Sequence, residues 1–249
     1  MPNENNVFAY LFKNDFRMNT RRMLTRAWMW GYFAAIAVVL VVVTAVWGGE
    51  NRFNPRYLLF ICFGFPFIAF GISYSILKRE WSNGTVGWWL TLPYSRSKLL
   101  LAKLAAAAAQ AYVLFLIYFI GVLLLELFNV LLHGNAWSEI GEFLTVEGEY
   151  LFVVLVISPF MLALGQLAAT VARTKLRPLL PLVWIVFALA GNGFGWLNVN
   201  AGDDGRIESI AVFGESAAAW LWLLIPASWL IASILFAGAV RLTRKHLIL

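Results

Sequence analysis

Between residues 78 and 103, reading KREWSNGTVGWWLTLPYSRSKLLLAK, the chain sets its densest polar chemistry between long apolar runs. Glu80 follows Lys78-Arg79, where basic residues alone would serve as a topology signal. Gly84 permits a sharp turn before Thr85. Pro93 stops the helix-competent stretch 86–92 and extends the residue before it. Ser95 has the side chain of a helix N-cap, followed by Arg96 and, seven residues on, Lys103. The stretch reads as a short helix with an aromatic face (Trp81, Trp88, Trp89), a bend, and re-entry into an apolar helix. Such a surface grips a partner rather than breaking bonds. The plainer alternative is an interfacial helix that only anchors the protein.

Catalytic and metal chemistry find little support elsewhere. The two histidines, His133 and His246, fall in an outer connection and near the C-terminus, and neither H-E-x-x-H nor G-x-S-x-G occurs. The single cysteine, Cys62, lies in an apolar run, and no Cys/His spacing suits a metal. The glycine cluster Gly191, Gly193, Gly195 has no following lysine, so no phosphate-binding loop is present. Catalytic and metal-ligating residues are therefore expected to be none, with no cofactor on this chain.

The elements that must position the 78–98 stretch are membrane spans. Of 249 residues 61% are hydrophobic and only 13% charged, far from a soluble domain. Six runs are each long enough to cross about 30 Å of hydrocarbon: 27–47, 57–77, 99–126, 150–172, 178–198 and 216–240. The first follows 26 polar-rich residues and lacks a small-x-small cleavage site, so it reads as a span and not a signal peptide. Residues 5–26 place Phe8, Leu11, Phe12 and Phe16 among Lys13, Arg17, Arg21 and Arg22 at helical spacing, the pattern of an amphipathic interfacial helix, with a plain basic tail as the alternative. The whole of 1–249 is expected to form one all-α transmembrane domain.

Orientation follows from basic residues. Of the 19 Lys and Arg, only Arg52, Arg56 and Arg206 fall in the connections opposite the termini, which carry most of the acids instead. The positive-inside bias places both termini and the 78–98 loop in the cytoplasm. With the basic residues in short loops, nucleic acid is not expected as a partner. The outer segments 127–149 and 193–215 are long enough for short interfacial helices or ordered loops.

Few polar side chains lie within the runs. Tyr74, Gln110, Tyr118, Gln166 and Asn192 are candidates for lining a pathway, although polar groups in spans often tie helices together instead. Glu126, at the outer end of the third run, is either a boundary residue or part of an outer gate. The scarcity of intramembrane charge argues against an ion or proton pump.

The order Glu80…Gly84-Thr85…Leu92-Pro93-x-Ser95-Arg96…Lys103, directly after a span, resembles the E-R-x-x-G-T…L-P-x-S-R…K stretch of type-2 ABC transporter permeases (the ABC-2 type). Six spans, cytoplasmic termini and a preceding amphipathic helix match that family across essentially the whole chain. Trp81 departs from the basic residue usual after the glutamate. The resemblance implies an exporter subunit in the cell membrane, surrounded by lipid, whose 78–98 loop is a coupling helix seated on a separate ABC ATPase that holds ATP and Mg. Glu80, Trp81, Gly84, Thr85, Trp88, Pro93, Ser95, Arg96 and Lys103 would carry that coupling. A second permease chain, identical or homologous, would complete the pathway, and an amphipathic or hydrophobic cargo (peptide, lipid or drug-like) is expected. A non-transporting anchor or sensor subunit shares most of these features; an intramembrane enzyme shares fewer.

Overall fold

The computed structural model of the chain describes residues 4–25, 27–48, 53–134, 137–193, 200–201, 207–209 and 219–245. The order is α1 (Glu4–Leu24), α2 (Ala27–Trp47), a 3-10 segment (Pro55–Gly64), α3 (Phe65–Ser82), α4 (Val86–Thr91), α5 (Arg96–His133), α6 (Ser138–Val171), a 3-10 turn (Arg177–Leu179), α7 (Leu180–Gly193) and α8 (Ala219–Lys245). Between α7 and α8 a small antiparallel pair joins β1 (Asn200–Ala201) to β2 (Ile207–Ser209).

Among the described residues, four helices are long and apolar enough to cross a membrane: Trp30–Trp47, Arg96–His133, Leu151–Val171 and Leu223–Arg244. The run expected as one span over 57–77 instead begins as 3-10 helix and becomes α-helix at Phe65. Its 3-10 portion opens on Pro55, and Pro66 occupies the first turn of α3, where its missing N–H costs no helical bond. The shorter apolar helix Arg177–Ala190 occupies the place of the fifth expected run.

The long helices overrun their apolar cores. At 38 residues α5 is about 57 Å long, well beyond a hydrocarbon layer. The segment 127–149 is mostly the continuation of α5, a turn at Gly134 with left-handed backbone (φ 69°), and the first turns of α6. Hydropathy marks where lipid contact ends, whereas backbone hydrogen bonding lets a helix continue into the aqueous layer.

Close backbone approach holds the centre together. A Cβ on Gly165 of α6 would lie 2.4 Å from the Phe70 carbonyl oxygen of α3, so only glycine fits. Beside it Ser73 Oγ donates to the Leu162 carbonyl at 2.6 Å. Small residues that let helices touch are the usual source of packing energy where lipid is as apolar as the side chains. The Trp229 indole donates to the Val156 carbonyl at 2.8 Å, tying α8 to α6. A second buried cluster (Leu77, Trp89, Leu99, Leu100, Ala169, Val240) lies under the 78–98 stretch.

Candidate functional site

The 78–98 stretch begins with a helix stop. Thr85 N–H donates to the Glu80 carbonyl (3.0 Å) and Gly84 N–H to the Trp81 carbonyl (3.2 Å), with Gly84 at φ 69°. This pair of bonds around a left-handed residue is the Schellman ending, and it turns the chain sharply into α4. Leu92 is then extended, Pro93 sits in a tight turn closed by Tyr94 N–H on the Leu92 carbonyl at 2.7 Å, and Ser95 Oγ accepts from Lys98 N–H at 3.4 Å to start α5.

Folding back this way turns Glu80 onto the buried Lys103. Lys103 is only 3% exposed, and its Nζ lies 2.5 Å from Glu80 Oε1 and 3.3 Å from Asp15 Oδ2. The same ammonium lies 5.3 Å from the centroid of the Trp89 ring, within cation–π range. The other Glu80 oxygen accepts from the Thr85 hydroxyl at 2.5 Å. One buried cation thus joins α1, α3, α4 and α5. Burial raises the Asp15 carboxyl above its ordinary value and Glu80 pushes the same way, against the lowering pull of Lys103.

Around this mount, Arg79 donates to Asn19 Oδ1 of α1, and Arg96 donates to the Thr243 carbonyl near the end of α8. Trp81 packs against the second buried cluster, but its indole N–H has no hydrogen-bond partner. Outward from the mount stand Gly84, Pro93 and Ser95, all exposed, and Trp88, which is 71% exposed, while the exposed Thr85 keeps its hydroxyl on Glu80. Adjacent in sequence, Trp88 and Trp89 (6% exposed) therefore face opposite ways.

Of the polar side chains expected along a pathway, Gln110 and Gln166 are buried within the single chain and Tyr74 and Tyr118 are half-buried. Tyr118 donates to the Leu58 carbonyl, satisfying a 3-10 backbone oxygen, and Gln166 Nε2 donates to the Leu100 carbonyl at 2.8 Å. Tyr74 packs with Phe70 and Trp184 and carries Lys78 5.5 Å above its ring. The side chain of Asn192 lies outside the described residues. In the second half of α5 Glu126 is fully buried, with Arg56 Nε 3.4 Å away. That contact is an ion pair by distance, yet neither Glu126 oxygen has a hydrogen bond. Arg56 also donates to the Glu139 carbonyl at 2.7 Å and approaches Glu142 at 3.5 Å, so it bridges α5 and the start of α6.

Sequence reasoning missed Asp15, Asn19 and Arg56. Asp15 carried a signal, as the lone acid among Lys13, Arg17, Arg21 and Arg22. Arg56 looked like ordinary loop charge, and only its fold-back onto Glu126 singles it out. Among the described residues no group of His, Cys, Asp and Glu is arranged to hold a metal.

A search of curated proteins returns no match. The family model described as ABC-2 family transporter protein matches residues 13–235, from within α1 to within α8, and so takes in the whole Lys103 mount and the exposed loop. A multi-pass helical chain matched over that length belongs to the ABC-2 transporter family, as the membrane subunit of an ABC transporter that associates with an ABC ATPase subunit.

Proposed function

We propose that this chain is an exporter permease in the cell membrane, and that α4 with its flanking turns is the coupling helix on which the ATPase acts. The observation that carries the reading is the split between Trp88 and Trp89. One indole is exposed, while the next is packed on the Lys103 ammonium. A push on Trp88 then bears directly on Lys103 and through it on α5, on α3 through Glu80, and on α1 through Asp15. ATP and Mg belong to the partner, because this chain has no phosphate-binding loop.

The positive-inside bias supports cytoplasmic termini, and the lengths of the apolar runs support six crossings: the four long helices, the 3-10 segment with α3, and the 178–198 run. A second permease chain, identical or homologous, would complete the pathway. Tyr74, Gln110, Tyr118 and Gln166 would hold the helices that form its wall, and the Arg56–Glu126 pair would act as the outer latch. Scarce intramembrane charge favours an amphipathic or hydrophobic cargo over an ion.

The test is affinity purification of the tagged chain in mild detergent, wild type against Trp88→Ala. Wild type should bring down a soluble ATPase in fixed stoichiometry. Trp88→Ala, as loss of an exposed aromatic anchor, should weaken that association by roughly 30-fold or more. Undiminished capture by Trp88→Ala would sink the assignment of α4. An ATPase that binds but is never stimulated by any cargo would point to the non-transporting anchor instead.

A further inference from the structure

We propose that the outward face of α1 is a docking rail for anionic phospholipid headgroups, with Lys13, Arg17 and Arg21 as its contacts. The inward face of the helix is already committed. Asp15 meets Lys103, Asn19 meets Arg79, and Leu11 packs into the cluster beneath the loop. What remains outside is a row of cations at i, i+4 and i+8, all exposed and none in an ion pair among the described residues, with Arg22 exposed beside them. The row is about 12 Å long at helical rise. Like charges at this spacing repel, so the row is a standing cost to the helix unless anions lie beside it. Asp15 cannot supply them, because it is turned inward onto Lys103.

The depth of the row argues for lipid as the anion. The Trp30 indole, in the first turn of α2, donates to the Leu24 carbonyl at 2.9 Å, closing the end of α1 onto the start of a membrane-crossing helix. Indoles sit at the headgroup layer. Arg21 and Arg22 are then held at that layer by covalent continuity and by this bond, and the exposed Tyr10 and Met18 sit along the same helix face. A basic helix with interleaved apolar groups, pinned at the interface, suits the negative surface of an inner leaflet. Because the opposite face of α1 carries Asp15 to Lys103, headgroups on the rail bear on the mount of the coupling loop. This last consequence rests on the coupling reading above; the docking itself does not.

The test uses the full chain alone in bilayers of phosphatidylcholine with a minor share of phosphatidylglycerol. Spin-labelled phosphatidylglycerol and phosphatidylcholine are compared for the motionally restricted fraction beside the protein. Each cation at an anionic surface is worth on the order of fivefold in association. Wild type should therefore prefer phosphatidylglycerol severalfold, and high salt should reduce the preference. Lys13→Glu/Arg17→Glu/Arg21→Glu should bring it near unity, whereas Arg241→Glu/Arg244→Glu, which removes exposed charge at the end of α8, should leave most of it. If the triple reversal does not insert, Lys13→Gln/Arg17→Gln/Arg21→Gln provides the same comparison. No preference in wild type, an undiminished preference in the triple variant, or an equal loss in the α8 variant each overturns the proposal. So does a triple variant that loses its ATPase but keeps its lipid preference, since the row would then face the ATPase. Absence of any ATPase leaves the lipid measurement readable, so the two readings fail separately.

Discussion

Lys103 Nζ lies 2.5 Å from Glu80 Oε1, although the two residues belong to different helices with a turn, a short helix and a proline between them. The pair closes the whole 78–98 stretch into a bracket, with Asp15 and Trp89 completing the surroundings of the ammonium. A loop closed this way transmits force, because displacing α4 requires moving a buried charge.

Lys103→Met should remove the ammonium that lies between Glu80 and Asp15 and cost on the order of 3 kcal/mol, as breaking a buried pair does. Thermal unfolding in detergent should show the loss. Adding Glu80→Gln and Asp15→Asn to Lys103→Met should restore most of the stability but not transport, because the bracket stays open. Glu80→Ala alone should leave ATP turnover running without cargo movement. Normal transport by Glu80→Ala would show that the bracket does not couple.

Gly84 has open space around its missing Cβ, so substitution there tests backbone alone. At φ 69° an L-residue costs roughly 1–2 kcal/mol, least for asparagine. Gly84→Val should therefore re-aim α4 and uncouple transport, while Gly84→Asn stays near wild type. Equal transport by both variants would mean that the direction of the turn is irrelevant.

Removing Arg56 should strand Glu126 inside the protein. Arg56→Gln is expected to destabilise by roughly 3–5 kcal/mol, and Glu126→Gln in the same chain to recover much of it. A double-mutant cycle on unfolding in detergent checks this. Simple additivity would show that the 3.4 Å contact carries no coupling.

Asp15 sets a pH dependence whose sign is fixed by burial. Its folded-state pKa is raised above 3.8, so the folded protein holds the proton more tightly than the unfolded chain. The contribution is greatest below the unfolded value and is lost as pH climbs through the folded one. The stability of wild type minus that of Asp15→Asn should therefore fall as pH rises from 3.8. A difference that grows over this range would mean the Lys103 ion pair, and not burial, dominates at Asp15.

What the sequence determined by itself was whatever depends on composition and local order. Charge-free runs of about 20 residues marked membrane helices, because burying a charge in hydrocarbon is expensive wherever the helix packs. The stop at Gly84, the extension before Pro93 and the cap at Ser95 were legible for the same reason: each is a property of a few neighbouring residues. Local order did not reveal that the 57–77 run begins as 3-10 helix, since hydropathy does not distinguish helix types. Nor did it separate Trp88 from Trp89, or show that Lys103 faces inward to Asp15, 88 residues away, while Arg56 reaches Glu126. Tertiary structure decided those, because a charge can be buried only where the fold brings its partner, and that partner comes from a distant helix.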